Sequence, residues 1–388
     1  MNKKTYLTAC DFDTSEPGAF GSRNLWPIIN EASIGASFKA TTSSNSTEKL
    51  VDELTGRVYT SDFLEKYGSV YGETSRLKDY CFNDVGVSLP ADKVHDYLRV
   101  PFRKIPLFEI ETADELETIH AKFSKSNSDY TYLWRGQTTL YETQRDPAEL
   151  QLLYGNTDVF EPSFLPSFIR NDLSYSFVQS IWLNLHEILV NDLKADYQKA
   201  NNEEKLKKFS DELLRIRFTP QNHALALALA QHYGLPSVGL DLTDSPDIAA
   251  WFACNKITIS EAGQASATSV LGRSDCSPTV FIFRMPKNCT LEYSTMRPKH
   301  FPRSRPDCQN AWFAHVGWGQ ARNQLANYLC FAFRLSEKFL ENASLPEVHN
   351  LFPKREDDLL LANYINLRGN TSFTSEMTDV LKGIYYFE

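Results

Sequence analysis

The stretch ALALALAQHYGLPSVGLDLTDSPDIAAWFACN, Ala224 to Asn255, constrains the fold of this chain more than any other. Alanine and leucine are the strongest helix formers, and Gly234 followed by Pro236 is an ordinary helix exit. Ala224 to Tyr233 is therefore expected to be helical, although its alternation would also suit a strand. SVGLDLT, Ser237 to Thr243, then reads as a short apolar strand. It runs into a second helix, DSPDIAAWFACNK, with Ser245 as cap, Pro246 at the first helical position and Asp247 placed to favour the dipole. The junction gathers Asp241, Thr243 and Ser245, and such junctions often hold polar ligands.

Upstream, in DYTYLWRGQ, Tyr130, Tyr132 and Trp134 alternate with smaller or polar residues. This is a strand pattern, and it ends at Gly136, which puts Arg135 at the last turn of the strand. Two readings stay open. One is an exposed arginine beside a turn glycine. The other is a glycine that lets a ligand approach the backbone while the guanidinium takes a phosphate or a ribose.

The rest of the chain is read more coarsely. PLFEIET, Pro106 to Thr112, is expected as a strand leading to a helix, ADELETIHAKF, capped by Thr112. Thr41 to Thr47 reads as an exposed loop. EPSFLPSFIRND leads through two prolines to Arg170. A core-type helical stripe follows at Phe177, Ile181, Leu185 and Ile188 or Leu189, with His186 and Glu187 on the helix surface. Residues 201–218 carry acids and lysines at helical offsets, the pattern of a solvated helix face. Glu261 to Asp275 is small and polar, suggesting a mobile loop. Further strands are expected at Thr279 to Met285, at Cys308 to Val316 and in YLCFAFRL.

Composition excludes several classes. Hydrophobic residues make up 42% and aromatics 13%, against 23% charged, which is the profile of a folded globular protein. Seven scattered cysteines without a CxxC argue against a disulfide framework or a structural zinc site and for a reducing cytoplasm; no metal is expected. The opening residues lack the apolar run of a signal peptide, and no window is apolar enough to span a membrane. A formal net charge of −9 argues against a surface given over to nucleic acid.

One dense basic cluster stands against that charge: Arg297, Lys299, His300, Arg303 and Arg305. A solvated loop and a phosphate site are evenly balanced here, because five bases in nine residues repel one another unless an anion is near. There is no GxxxxGK and no GxSxG, and Gly317-Trp318-Gly319 lacks the third glycine of a dinucleotide fingerprint.

The order of these segments resembles the FRG domain family, named for an aromatic-Arg-Gly motif, here Trp134-Arg135-Gly136. The family's later signature is a helix ending in QHYG-x-P, a strand with an Asp and a Thr, and a helix with A-x-x-F-A. It corresponds to Gln231 through Gly234, Pro236, Asp241, Thr243, Ala249, Phe252 and Ala253. PSF-x-R at Pro166 to Arg170, Arg305 with Gln309, and LFP at Leu351 to Pro353 extend the likeness over about residues 115–365. Residues 1–114 then form an N-terminal region and 366–388 a tail. Where the family has Q-x-G-x-F, this chain has Gln309-Asn310-Ala311-Trp312-Phe313.

The plan in turn resembles mono-ADP-ribosyltransferases: a first strand ending in Arg or His then Gly, a middle strand with Ser or Thr entering a helix, and a late strand beginning with Glu. The resemblance implies an α+β fold with an ADP-ribosyltransferase-like split β-sheet core and flanking helices, plus an N-terminal α/β extension. It implies NAD as a substrate and catalytic roles for Arg135, Thr243 and Gln309. Arg135, Gly136, Gln137, Arg170, His232, Tyr233, Asp241, Thr243 and Ser245 would bind NAD, with Gly136 offering its backbone and Tyr233 a stacking wall to nicotinamide. The usual Glu is replaced: Gln309 accepts a hydrogen bond but brings no charge, and Asp241 is an alternative acid. Arg297, Lys299, Arg303 and Arg305 would hold the acceptor, RNA or DNA ahead of protein.

The expected function is an NAD-dependent ADP-ribosyltransferase acting in the cytoplasm as a bacterial toxin or phage-defence effector, with an antitoxin as a further partner. The alternatives are a non-catalytic nucleotide- or phosphate-recognition module and an NAD glycohydrolase.

Overall fold

The computed structural model describes residues 88–90, 93–100, 103–124, 130–147, 150, 156–167, 175–216, 220–235, 237, 239–260, 264–286, 290–315 and 323–367, with four short strands before residue 60. Among those strands, β1 (Tyr6–Thr8) pairs with β5 (Ser88–Pro90), and β2 (Phe38–Thr42), β3 (Glu48–Asp52) and β4 (Val58–Tyr59) form a small antiparallel sheet.

The chain then runs β6 (Val94–Val100), β7 (Arg103–Ile110), α1 (Ala113–Ser124) and β8 (Tyr130–Gln137). Three helices follow: α2 (Tyr175–Lys199), α3 (Glu203–Ile216) and α4 (Pro220–His232). The second half comprises β9 (Gly239–Thr243), α5 (Pro246–Cys254), β10 (Asn255–Ile259), β11 (Ala265–Ser269), β12 (Thr279–Pro286) and β13 (Thr290–Glu292). It closes with α6 (Tyr293–Met296), α7 (Arg305–Cys308), β14 (Ala311–His315), β15 (Leu329–Leu335), α8 (Glu337–Asn342), α9 (Val348–Leu351) and α10 (Leu359–Leu367). The protein is thus a mixed α/β chain with a large mixed sheet and several helices.

Eight strands form that sheet in the order β13-β14-β9-β8-β12-β15-β7-β6, antiparallel except between β15 and β7. Val280, Phe281, Ile282 and Phe283 of β12 are all fully buried, so this central strand reads as an unbroken apolar run with no alternation. β8 pairs with β12 along its whole length, from Tyr130↔Pro286 to Gln137↔Thr279. On its other edge β8 meets β9 at one pair only, Trp134↔Thr243. The sheet is therefore nearly parted in two between β8 and β9.

Helix α5 packs across that parting. At Gly136 an added Cβ would lie 1.8 Å from the Ala249 carbonyl oxygen and 2.6 Å from the Ala253 nitrogen, so only glycine lets strand and helix come this close. Ser245 caps α5 by accepting from the Ile248 N–H, and Pro246 opens it, as the sequence predicts. On the β8 side, Leu116, Ile119 and Phe123 of α1 are buried, with the Phe123 ring 6.4 Å from Trp134. Full burial of each such ring contributes about 2–3 kcal/mol. Helices α2, α3, α4 and α10 build a second core around Leu189, Phe209, Leu229 and Leu360.

Several expectations change. β6 and β7 fall within the stretch read as a separate N-terminal region, yet β7 pairs in parallel with β15, because its apolar residues are buried only as part of the sheet. The stretch read as a mobile loop contains β11, paired residue for residue with β10 from Asn255↔Ser269 to Ile259↔Ala265. Its alanines gave no apolar signal, but Ala265 and Ala267 pack beside Ile257 and Ile259 against Trp251 and Phe352. His186 is buried, not on the helix surface, and its Nε2 lies 2.9 Å from Asn222 Oδ1. Of the loop read at Thr41 to Thr47, Thr41 and Thr42 end β2 and the remainder lies outside the described residues.

Candidate functional site

Where β8 and β9 part, a cavity of about 190 Å³ opens, lined among others by Arg135, His232, Asp241, Thr243, Gln309 and Phe352. Its residues come from the end of β8, the exit of α4, strand β9 and the turn before β14. Register explains the convergence. β14 pairs with β9 from Ala311↔Thr243, which sets Gln309 beside the end of β9, while Trp134↔Thr243 sets Arg135 opposite the same end.

The polar groups form a connected chain. Arg135 Nη1 donates to the backbone carbonyl of Asp241 at 2.6 Å. Asp241 Oδ1 faces His232 Nε2 at 3.2 Å, without the alignment of a good hydrogen bond. His232 is hydrogen-bonded to the Gln309 carboxamide, whose Nε2 donates to Leu351 O at 3.0 Å. Thr243 Oγ1 donates to Gln309 O at 2.9 Å and accepts from the Ser245 N–H at 3.2 Å.

Protonation follows from burial. Desolvation and the charge of Arg305 hold the His232 imidazole down to about 3, against the Gln309 hydrogen bond, so the ring is neutral. Desolvation pushes the Asp241 carboxyl up to about 7, against the pull of Arg135 and a hydrogen bond from Gln231. The Asp241 side chain keeps 26% of its surface open. Among the lining residues it is the one acid, so the cavity holds a carboxylate poised to change charge near neutrality.

The other expected site residues fare differently. Gly136 lines the cavity, but the space its missing side chain frees is filled by the backbone of α5 and not by a ligand cleft. Ser245 serves as a helix cap. Gln137 is buried with its Nε2 on Ser163 O at 3.0 Å, and it lines a neighbouring chamber. Arg170 lies outside the described residues.

Tyr233 is not among the cavity's lining residues, which corrects its expected stacking role. It is 1% exposed, stacks on Tyr364 with ring centroids 4.9 Å apart, and donates its hydroxyl to Asp358 Oδ2 at 2.7 Å. A tyrosine at a helix exit cannot show from sequence alone which side it will turn to.

The basic cluster also dissolves. Arg305 is 1% exposed: its backbone N–H donates to Asp358 Oδ2 at 3.0 Å, its Nη1 to His232 O at 3.1 Å, and its guanidinium lies over Tyr233 and Phe352. Arg297 pairs with Asp307 at 2.7 Å, and the His300 N–H donates to Glu212. Arg297 and Asp307 pair as charged side chains, whereas Asp358 and Glu212 accept from the backbone N–H groups of Arg305 and His300. Lys299 and Arg303 remain exposed.

Phe352 and Asp358 went unassigned by sequence. Phe352 sits in the LFP stretch, so a signal for it existed; Asp358, which also accepts from the Leu361 N–H at the start of α10, had none.

A mixed α/β sheet parted over a polar cavity defines the class of this protein. Within it, residues 165–261 match the FRG domain. That stretch covers α2 to β10, including His232, Asp241 and Thr243, and leaves Arg135 and Gln309 outside it. No curated protein and no solved structure matches the chain.

Proposed function

We propose that this protein is an NAD-dependent ADP-ribosyltransferase acting on a macromolecule, with nucleic acid as the acceptor. The observation that carries the reading is the side-by-side order β14-β9-β8, which brings Gln309, Thr243 with Asp241, and Arg135 around one cavity. A strand with Arg-Gly near its end, a middle strand with Thr and a late strand preceded by Gln309 follow the order that the resemblance to such transferases implies.

Asp241 takes the part expected of the missing glutamate. Breaking the bond between the ribose C1′ and the nicotinamide nitrogen sends the electron pair to nicotinamide and leaves an oxocarbenium-like cation. An ionised Asp241 stabilises that cation and then takes the proton from the attacking acceptor. Arg135 supplies positive charge for a phosphate. Gln309 and Thr243 are bonded within the protein, and in this reading they fix His232 and the end of β9 rather than touch the sugar.

Of the expected acceptor contacts, Lys299 and Arg303 are those still exposed. The enzyme would act in the cytoplasm as a toxin or phage-defence effector, held in check by an antitoxin.

The engagement of Thr243 and Gln309 favours, as a second reading, a recognition module that binds a nucleotide without turning it over. Incubating the protein with NAD labelled in its adenylate half, together with total RNA, DNA or protein, separates the readings. Label on a macromolecule supports transfer, free ADP-ribose means hydrolysis, and NAD binding with no product means recognition. No binding and no product would sink both the transferase and its runner-up.

A further inference from the structure

We infer that a second chamber, beyond Arg135, is a binding compartment for a nucleobase, with Tyr141 as its stacking surface. The chamber measures about 630 Å³ and shares Arg135, Gly136, Phe252 and Ile257 with the first cavity, so a ligand can occupy both. The inference deepens the transferase reading, since the base would belong either to the adenylate half of the dinucleotide or to the nucleic-acid acceptor.

Tyr141 is 52% exposed in the chamber wall, with its hydroxyl 3.4 Å from Thr138 Oγ1. The segment that carries it is held firmly. Ser163 N–H donates to Tyr141 O at 2.7 Å and Thr143 N–H to Glu161 O at 2.8 Å. Two residues on, Arg145 makes two hydrogen bonds to Glu161, at 2.6 and 2.9 Å, with side chains 1% and 0% exposed. Asn323 Nδ2 adds a third donor to Glu161 at 2.6 Å, and its Oδ1 accepts from the Phe164 N–H.

A fully buried ion pair of this kind is costly to desolvate, and here it anchors a segment that exposes the Tyr141 ring together with Glu142 and Gln144. Such anchoring removes the ordering entropy that a stacking ligand would otherwise have to overcome.

The chamber's polar groups suit a base edge. Gln137, Gln144 and Asn255 line it; their carboxamide nitrogens donate to Ser163 O at 3.0 Å, Glu142 Oε2 at 3.4 Å and Trp251 O at 2.9 Å, and a carboxamide carries a second N–H and an acceptor oxygen besides such a bond. Gln137 is 8% exposed; its Nε2 is used on Ser163 O, and its Oε1 meets no donor among the described residues. Lys256, exposed at the same wall, supplies charge for a phosphate attached to the base.

Titration of the full chain with AMP and with a labelled single-stranded RNA oligonucleotide, for the wild type, Tyr141→Ala and Tyr141→Phe, tests the inference. Tyr141→Ala is expected to weaken binding between about five-fold and about a hundred-fold, and Tyr141→Phe to keep it, since stacking needs the ring and not the hydroxyl. AMP binding that depends on Tyr141 identifies the adenylate of the dinucleotide; oligonucleotide binding without AMP binding identifies the acceptor. Binding of neither ligand at millimolar concentration, or binding indifferent to Tyr141→Ala, overturns the inference. NAD consumption measured in parallel keeps the two readings apart. Tyr141-dependent binding without NAD consumption defeats the transferase alone, and NAD consumption without Tyr141-dependent binding defeats the base compartment alone.

Discussion

His232 Nε2 stands 3.2 Å from Asp241 Oδ1, and burial drives the two groups in opposite directions: the imidazole down to about 3, the carboxyl up to about 7. Both are consequently uncharged through much of the acid range, and the pair hides its own titration. Asp241 keeps its proton in the fold after the unfolded chain has lost it at 3.8, so its contribution to stability falls as pH rises from 3.8 to about 7. His232 stays neutral in the fold while the unfolded chain takes up a proton at 6.5, so its contribution falls as pH drops from 6.5 to about 3. Where these windows overlap the two proton counts cancel.

Single substitutions should uncover the hidden slopes. Relative to the wild type, Asp241→Asn leaves His232 alone and should lose stability on acidification below 6.5; His232→Gln leaves Asp241 alone and should lose stability as pH rises toward about 7. Each slope approaches about 1.4 kcal/mol per pH unit. Urea unfolding across that range measures both, and slopes of the same sign in the two variants would refute the assignment.

Gly136→Ala should be strongly destabilising. Its Cβ would sit 1.8 Å from the Ala249 carbonyl, which is backbone of α5 and cannot swing aside. A loss of about 3 kcal/mol or more is expected from such overpacking. Denaturant unfolding of the variant would show it, and a loss under about 1 kcal/mol would mean that β8 and α5 are not in this contact.

Arg305 and Arg303 are two residues apart and should behave as different kinds of residue. Arg305→Met keeps the backbone bond to Asp358 but removes the guanidinium from His232 O and from the faces of Tyr233 and Phe352, at a cost of about 1.5–3 kcal/mol. Arg303→Ala, at an exposed position, should stay within about 0.5 kcal/mol of the wild type. Equal effects on melting would restore the picture of a solvated basic surface.

Much of this arrangement was legible in the sequence where local rules decide. The Ser245 cap, Pro246 at the helix start and the α4 exit at Gly234 are set by residues close in the chain, and each appears as read; β8 is a strand as expected, but it runs on to Gln137 and buries Leu133 as fully as Trp134. Arg135 and Thr243, near the ends of β8 and β9, line one cavity with Asp241 from the middle of β9 and Gln309 from the turn before β14. What could not be read was partnership across the fold. Arg305 could not be read as a buried residue because the groups its guanidinium meets, His232 O and the rings of Tyr233 and Phe352, lie far away in the chain. Gly136 looked like a ligand approach because nothing local shows that α5 will return to fill it. β11 carried too little apolar character to announce itself beside β10.

If Asp241, and not Gln309, supplies the negative charge in the cavity, the NAD consumption rate as a function of pH will separate the wild type from Asp241→Asn. The wild-type rate should rise with pH through about 7 as the carboxyl ionises, and Asp241→Asn should fall about 100- to 10,000-fold, with no such rise, while still binding NAD. An Asp241→Asn protein that consumes NAD at the wild-type rate, or a wild type that binds NAD and never consumes it, would contradict that role of Asp241.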